Sequence, residues 1–201
     1  MPRAGLAPAS VTEAGAMLVD EIGFAQLSMG LVAERLGVRT PSLYKHVTSQ
    51  ADLAHRIAIL AATELGDAIR DATQGRAGGD ALAAAQAVRT YVREHPGRYA
   101  ALNSARPDGP DDPFIPASDR ALSSLSAVLR GYHLDSAQEV RALRMLRSMP
   151  HGFSTLEVAG GFQNDTDIDD SFTWMITFID QGLQATTTTP GTTPGLAAPT
   201  R

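Results

Sequence analysis

The 201-residue sequence predicts an all-α protein, with a small N-terminal helical domain followed by a larger helical C-terminal one. Three observations lead there. Apolar residues recur at three- and four-residue spacing along the chain, the period of a helix with one inward face. No stretch alternates with period two, and only Val47-Thr48 allows a short extended piece. Capping residues and glycine or proline stops fall between the apolar stripes at helical intervals.

Each element can be placed in turn. The first helix is expected to open at Ser10, where Ser10-x-x-Glu13 fits a capping box, and to end at Gly23, with Ala14, Met17, Leu18 and Ile22 inward. Ser28 caps a short second helix carrying Met29, Val32, Ala33 and Leu36, and Gly37 stops it. Thr40-Pro41 pairs an N-cap with proline at the first helical position, opening a third short helix with Leu43 and Val47. Ser49-x-x-Asp52 opens a longer fourth helix marked by Leu53, Ile57, Leu60 or Ala61, Leu65 and Ile69. After a glycine-rich break at 74–79, Ala81, Ala84, Val88 and Tyr91 set out a helix that ends before His95-Pro96-Gly97. A short helical piece around Tyr99 and Leu102 runs into a loop at 105–116 dense in Pro and Asp. Leu122, Leu125 and Leu129 mark a helix closed by Gly131. Ser136-x-x-Glu139 caps a long helix through Val140, Leu143, Leu146 and Met149, with Pro150 expected to kink or interrupt it. Asp169 or Asp170 caps the last helix, whose Phe172, Met175 or Ile176, Ile179 and Leu183 form a wide apolar face. From about Thr186 the Thr/Pro/Gly tail has no core-forming residues and is expected to be disordered. The chain therefore divides into 1–52, 53–185 and a tail, 186–201.

Composition narrows the function. Hydrophobic residues make up 43% of the chain, yet no apolar run approaches the roughly 18 residues of a membrane span. The first ten residues, rich in Pro and Ala, do not read as a secretory signal, so a soluble, cytoplasmic protein is expected. The absence of cysteine removes disulfides, thiolate nucleophiles and Cys-based zinc or iron–sulfur sites. The five histidines, His46, His55, His95, His133 and His151, are scattered, and no phosphate loop or nucleophile elbow accompanies them. No enzyme, cofactor or metal site is expected.

A formal charge of −5 is awkward for binding polyanions. Residues 1–56 are balanced, with Arg3, Arg35, Arg39, Lys45 and Arg56 against Glu13, Asp20, Glu21, Glu34 and Asp52, so the acidic excess lies downstream. Within that neutral segment Ala33, Gly37 and Leu43 have the spacing of a helix-turn-helix. A small residue lets two helices approach, glycine takes the positive φ of the turn, and an apolar side chain locks the angle between them. A small helical core with a tight turn would satisfy the same three positions.

The wider segment goes further. Gly23-Phe24, Leu27-Ser28-Met29, Val32-Ala33, Leu36-Gly37-Val38, Ser42-Leu43-Tyr44-Lys45-His46-Val47 and Asp52-Leu53 closely resemble the N-terminal domain of TetR/AcrR-family regulators, without a gap over roughly fifty residues. The resemblance implies a sequence-specific DNA-binding regulator, a repressor, whose third helix enters the major groove of double-stranded DNA. By position, Arg39, Thr40, Pro41 and Ser42 would sit at the groove, with Tyr44, Lys45 and His46 near phosphates. Ser28 and Ser49, at helix N-termini, would present backbone amides to phosphate. Gln50 departs from the family, which commonly has a basic residue there. Lys45 is the only lysine among seventeen basic residues, which fits a phosphate point contact or simple compositional drift.

The C-terminal part resembles the family subgroup named for its Trp-His-Gly motif. The resemblance rests on Arg93-Glu94-His95-Pro96-Gly97-Arg98-Tyr99, His151-Gly152-Phe153, Leu156-Glu157 and Gly160-Gly161-Phe162, with Pro150 in place of the tryptophan. It implies a homodimer through the last two long helices, on a roughly palindromic operator, and middle helices around a small-molecule effector. The face of Phe172, Ile176, Ile179 and Leu183 fits that dimer role, with intramolecular core as the alternative. Candidate effector contacts are Tyr91, Tyr99, Leu122, Leu125, Leu146, Arg147, His151, Phe153 and Trp174, the large or polar members of mostly apolar helices. The rival reading is a helical ligand-binding or scaffold protein of the same fold that no longer reads DNA.

Overall fold

The computed structural model describes residues 6–75 and 80–188, and among these there are nine α-helices and no strand. Helix α1 spans Pro8–Ile22, α2 Met29–Arg35, α3 Thr40–Leu43, α4 Gln50–Thr73 and α5 Ala81–Glu94. Helix α6 spans Pro96–Ser104, α7 Phe114–Leu129, α8 Ser136–Val158 and α9 Ile168–Thr188. The break at 76–79, and the tail beyond Thr188 that the sequence reads as disordered, lie outside the described residues; 186–188 are helical.

Several helix starts move by a residue or more from the expected place. Helix α1 begins at Pro8, and Ser10 sits in its first turn, where its hydroxyl accepts from the Ala7 amide at 3.0 Å. Arg39, not Thr40, precedes α3. Asp135, not Ser136, caps α8: its carboxylate accepts from the amides of Ala137 and Gln138, and the Gln138 side chain accepts from the Asp135 amide. Asp167 caps α9 through the amides of Asp169 and Asp170. A carboxylate just outside the helix reaches two free amides, whereas Asp169 and Asp170 already belong to the first turn. The 105–116 loop is shorter than expected, because Asp112 accepts from the Phe114 amide and α7 starts there, with Pro116 in a first turn that needs no donor. Helix α7 is closed by a 3-10 turn, Arg130–Tyr132, after which His133 rather than Gly131 takes the left-handed conformation. Helix α8 runs through Pro150 without interruption. Ser28 and Ser49 cap as expected, accepting from the amides of Leu31 and Asp52.

Two cores form. The first gathers Val11 and Val19 of α1, Val32 of α2, Leu43, Val47 and the start of α4 at Leu53 and Ile57, together with Ala101, Phe114 and Ala117 from α6 and α7. The second joins Ile69 of α4, Tyr91 of α5, Leu129 of α7, Leu146 of α8 and Phe172, Ile176, Ile179 and Leu183 of α9. Helix α4 thus runs from one core into the other, tying the two parts along a single rod of 24 residues.

Three apolar stripes differ from expectation. Met17 and Ile22 of α1 are exposed, while Val11 and Val19 are fully buried. Val140 and Met149 of α8 are exposed, while Leu146 is buried. The stripe read as a dimer surface on α9 is intramolecular core, with Phe172 and Ile176 both at 0% exposure. The outward apolar residues of α9 are instead Trp174 and Phe178, 71% and 66% exposed and stacked with ring centroids 5.7 Å apart. The helix carries apolar side chains on two faces, and packing against α5 claims one of them.

Candidate nucleic-acid interface and cavity

The turn between α2 and α3 is made by Gly37 at φ 64°, where a side chain would be strained, and its amide donates to the Glu34 carbonyl. Ala33 and Leu43 are buried on either side, so the angle between the helices is set by a small residue facing an apolar one. Helix α3 is a single turn whose hydrogen bonding continues as His46 and Val47 donate to the Leu43 carbonyl. On its outer side Arg39, Pro41, Tyr44 and Lys45 are exposed, and Thr40, Ser42 and His46 are half-buried. Ser28 and Ser49 are half-buried with their hydroxyls used in capping, and Gln50 is exposed.

The charge balance of this segment changes once partners are known. Arg35 holds Glu21 through two contacts of 2.6 and 2.7 Å, and Arg56 holds Asp52 at 2.7 Å. Glu13 and Asp20 are drawn to Arg98 of α6 at 3.0 and 2.9 Å. Among the described residues Arg39 and Lys45 form no ion pair and neither does the exposed Glu34 of α2, so two free cations face one free carboxylate in a segment whose formal charge is zero. Positive charge free of internal carboxylates is what phosphate contact requires.

Between α4, α6, α7 and α8 lies a cavity of about 300 Å³. Its walls are Leu65, Ile69, Val88, Leu125 and Leu146 with Tyr99 and Phe114, and its polar members are Asn103, Arg106, Ser118 and Arg147. Of the nine residues proposed from sequence, Tyr99, Leu122, Leu125, Leu146 and Arg147 line it. His151 adjoins it, its Nδ1 2.9 Å from the Tyr99 hydroxyl. Burial pushes that hydroxyl above its ordinary pKa, against the side chain of Asn103 and the charge of Arg147. The other three lie elsewhere. Tyr91 is buried, with its hydroxyl donating to Glu64 at 2.8 Å, Phe153 packs on Phe162 and Phe172, and Trp174 is on the surface. Asn103, Arg106, Phe114 and Ser118 were not foreseen because they sit in or beside the 105–113 loop, whose path no periodicity reports.

Residues 11–57 match the model of bacterial regulatory proteins, tetR family, and residues 81–179 match that of the tetracyclin repressor-like, C-terminal domain. The chain belongs to the TetR family. It is 37% identical over 191 residues to the uncharacterized HTH-type transcriptional regulator Rv0681 of Mycobacterium tuberculosis, covering 94% of this chain and 87% of that one. It is 30% identical over 186 residues to the corresponding regulator YobS of Bacillus subtilis, covering 90% and 95%. Among solved structures, a protein with unknown function from Rhodococcus sp. RHA1 superposes with a TM-score of 0.77 at 17% identity, over 91% of this chain and 98% of that one. A TetR variant from Acinetobacter baumannii AYE, solved in complex with minocycline, superposes with a TM-score of 0.68 at 20% identity, over 92% and 100%. These two likenesses show the shared fold. The chain is thus a DNA-binding transcriptional regulator of the TetR family, and no helix among its described residues is long and apolar enough to cross a membrane.

In this TetR-family chain the two parts meet at α6. A Cβ on Gly97 would lie 2.0 Å from the Val19 carbonyl oxygen, so only glycine lets α6 cross α1 at this distance. The Arg98 amide donates to Asp20 at 2.9 Å, and its guanidinium reaches Glu13 of α1, Asp20 of α1 and Glu64 of α4. His95 Nδ1 lies 3.1 Å from Asp20 on the same side. The same helix supplies Tyr99, Leu102 and Asn103 to the cavity.

Proposed function

We propose that the protein is a homodimeric repressor, released from a roughly palindromic operator when a small molecule fills the cavity. The observation that carries this reading is α6, which supplies Tyr99, Leu102 and Asn103 to the cavity and, with the preceding His95, grips α1 through Gly97 and Arg98. A ligand that prefers one position of α6 biases the tilt of the helix-turn-helix, because binding shifts a conformational equilibrium by its difference in affinity for the two states. Arg39, Thr40, Pro41 and Ser42 face the bases, and Tyr44, Lys45 and His46 the phosphates, as the exposure of Arg39 and Lys45 and their freedom from ion pairs support. The dimer forms through the outward faces of α8 and α9, where Met149, Leu156, Val158, Trp174 and Phe178 are exposed. Two reading helices related by a two-fold axis then address half-sites about 34–36 Å apart or a multiple of it.

The test is binding of the purified protein to DNA flanking its own coding region, against scrambled DNA, with salt varied. Saturable selective binding at two chains per site is expected, with log affinity falling by about 0.9 per phosphate neutralised for each log unit of salt. No preference at any salt by folded protein would refute the operator reading for those flanks and favour a ligand-binding protein that has lost DNA recognition.

A further inference from the structure

The cavity has a charge character that its apolar walls conceal. None of the described residues lining it is acidic, while two arginines, Arg106 from the loop after α6 and Arg147 from α8, stand at its exposed edge. The buried arginines of the chain are paired with carboxylates, whereas Arg106 and Arg147 are exposed, with their heads in reach of solvent. Arg89 holds Glu157 and Asp169, and Arg98 holds Glu13, Asp20 and Glu64. Arg106 and Arg147 form no ion pair among the described residues; Arg106 donates only to the backbone carbonyls of Asn103 and Ala105.

The nearby loop could have neutralised them and does not. Asp112 is turned away from the cavity, its carboxylate taken by the amides of Asp108 and Phe114 and by His55 Nε2 at 2.9 Å. The loop thus contributes a cation to the lining and keeps its one buried carboxylate out of it. Asn103 and the Tyr99–His151 pair add hydrogen-bonding groups beside the arginines.

Building on the reading that this cavity holds the effector, we propose that the ligand is a hydrophobic monoanion, an apolar body with a carboxylate-type head, whose head meets Arg147 and Arg106 at the mouth. A guanidinium offers two parallel N–H donors matched to a carboxylate, and the aliphatic floor of Leu65, Ile69, Val88 and Leu125 takes the body. A cationic ligand finds no counter-charge and meets two like charges, so it is rejected. A volume of about 300 Å³ lies at the small end of ligand pockets, which excludes bulky polycyclic or nucleotide-linked molecules from full enclosure.

The test uses matched probes, decanoate, decanamide and decylamine, titrated by calorimetry into the full-length protein and into Arg147→Met, Arg106→Met and Leu125→Trp. Decanoate is expected to bind about tenfold or more tightly than decanamide, the scale of a charge-assisted hydrogen bond, with decylamine weakest. Either arginine variant should lose that preference while keeping decanamide affinity, and Leu125→Trp, which fills the cavity, should lose both probes with its fold intact by circular dichroism. Equal binding of decanoate and decanamide, both abolished by Leu125→Trp, would overturn the anion and leave the cavity reading standing. Decanoate binding unaffected by Leu125→Trp would overturn both. Absence of decanoate binding while decanamide or decylamine binds would overturn the anion alone, and binding of none of the three would overturn this ligand class.

Discussion

Replacing Arg98 by Met keeps most of the stem that fills the space between α1, α4 and α6 and removes the guanidinium with its charge and donors. Its side chain is 8% exposed, and the guanidinium lies 2.7 Å from Glu64, 2.9 Å from Asp20 and 3.0 Å from Glu13. Removing one member of a buried ion pair costs about 3–5 kcal/mol, because the partner charge stays behind without compensation. Here the loss is smaller. Glu13 is half exposed and falls back on water, Asp20 keeps His95 and the residue-98 amide, and Glu64 keeps the Tyr91 hydroxyl. A destabilisation of about 2–3 kcal/mol is expected, or about 5–10 °C in Tm for a chain of this size. Urea and thermal unfolding at one fixed protein concentration measure it, since the proposed dimerisation would make stability concentration-dependent. A change below about 0.5 kcal/mol would show that the hub is solvated, in the manner of a surface pair, and would refute the argument. The variant should also bind cavity ligands normally yet respond to them less in operator binding, because the link from α6 to α1 is weakened to the His95 and residue-98 amide contacts with Asp20.

Four further outcomes follow from named contacts. Lys45→Ala should weaken binding to operator and random DNA alike and lower the salt slope by about one, whereas Arg39→Ala should also relax base preference; equal losses on both DNAs for both variants would contradict this division. Trp174→Glu should shift the protein toward monomer in sedimentation without unfolding it, whereas Phe172→Ala, at a fully buried site, should cost about 3–5 kcal/mol of stability. The Asp112 carboxyl is held down to about 2 by the amides of Asp108 and Phe114 and by His55. Its contribution is complete above the ordinary carboxylate range and is lost as pH falls toward 2, so Asp112→Asn should flatten the loss of stability between about pH 4 and pH 2, read as urea midpoints. Gly97→Ala should destabilise by about 1–3 kcal/mol or more by forcing α6 off the α1 backbone, read as urea midpoints.

What the sequence determined was local. Helix existence, the Ser28 and Ser49 caps and the Gly37 turn depend on groups within four residues of one another, and the side chains that make them are visible as spacing. The helix-turn-helix was legible for that reason, and the family resemblance rested on it. Where two neighbouring side chains compete for the same free amides, as with Ser136 and Asp135 or Asp169 and Asp167, spacing alone picked the wrong one by a residue or two. Tertiary structure decided whatever depended on partners distant in the chain. Helix α9 has two apolar faces, and only its docking on α5 assigned Phe172 to the core and Trp174 to the surface. Arg39 and Lys45 are left as free cations while Arg35, Arg56 and Arg98 engage four of the five acids of the segment, Arg98 from more than seventy residues away. Arg106 reached the cavity by the path of a loop that carries no period. Periodicity records that a residue is buried or exposed along its own helix axis; it holds no information about which other element closes over it.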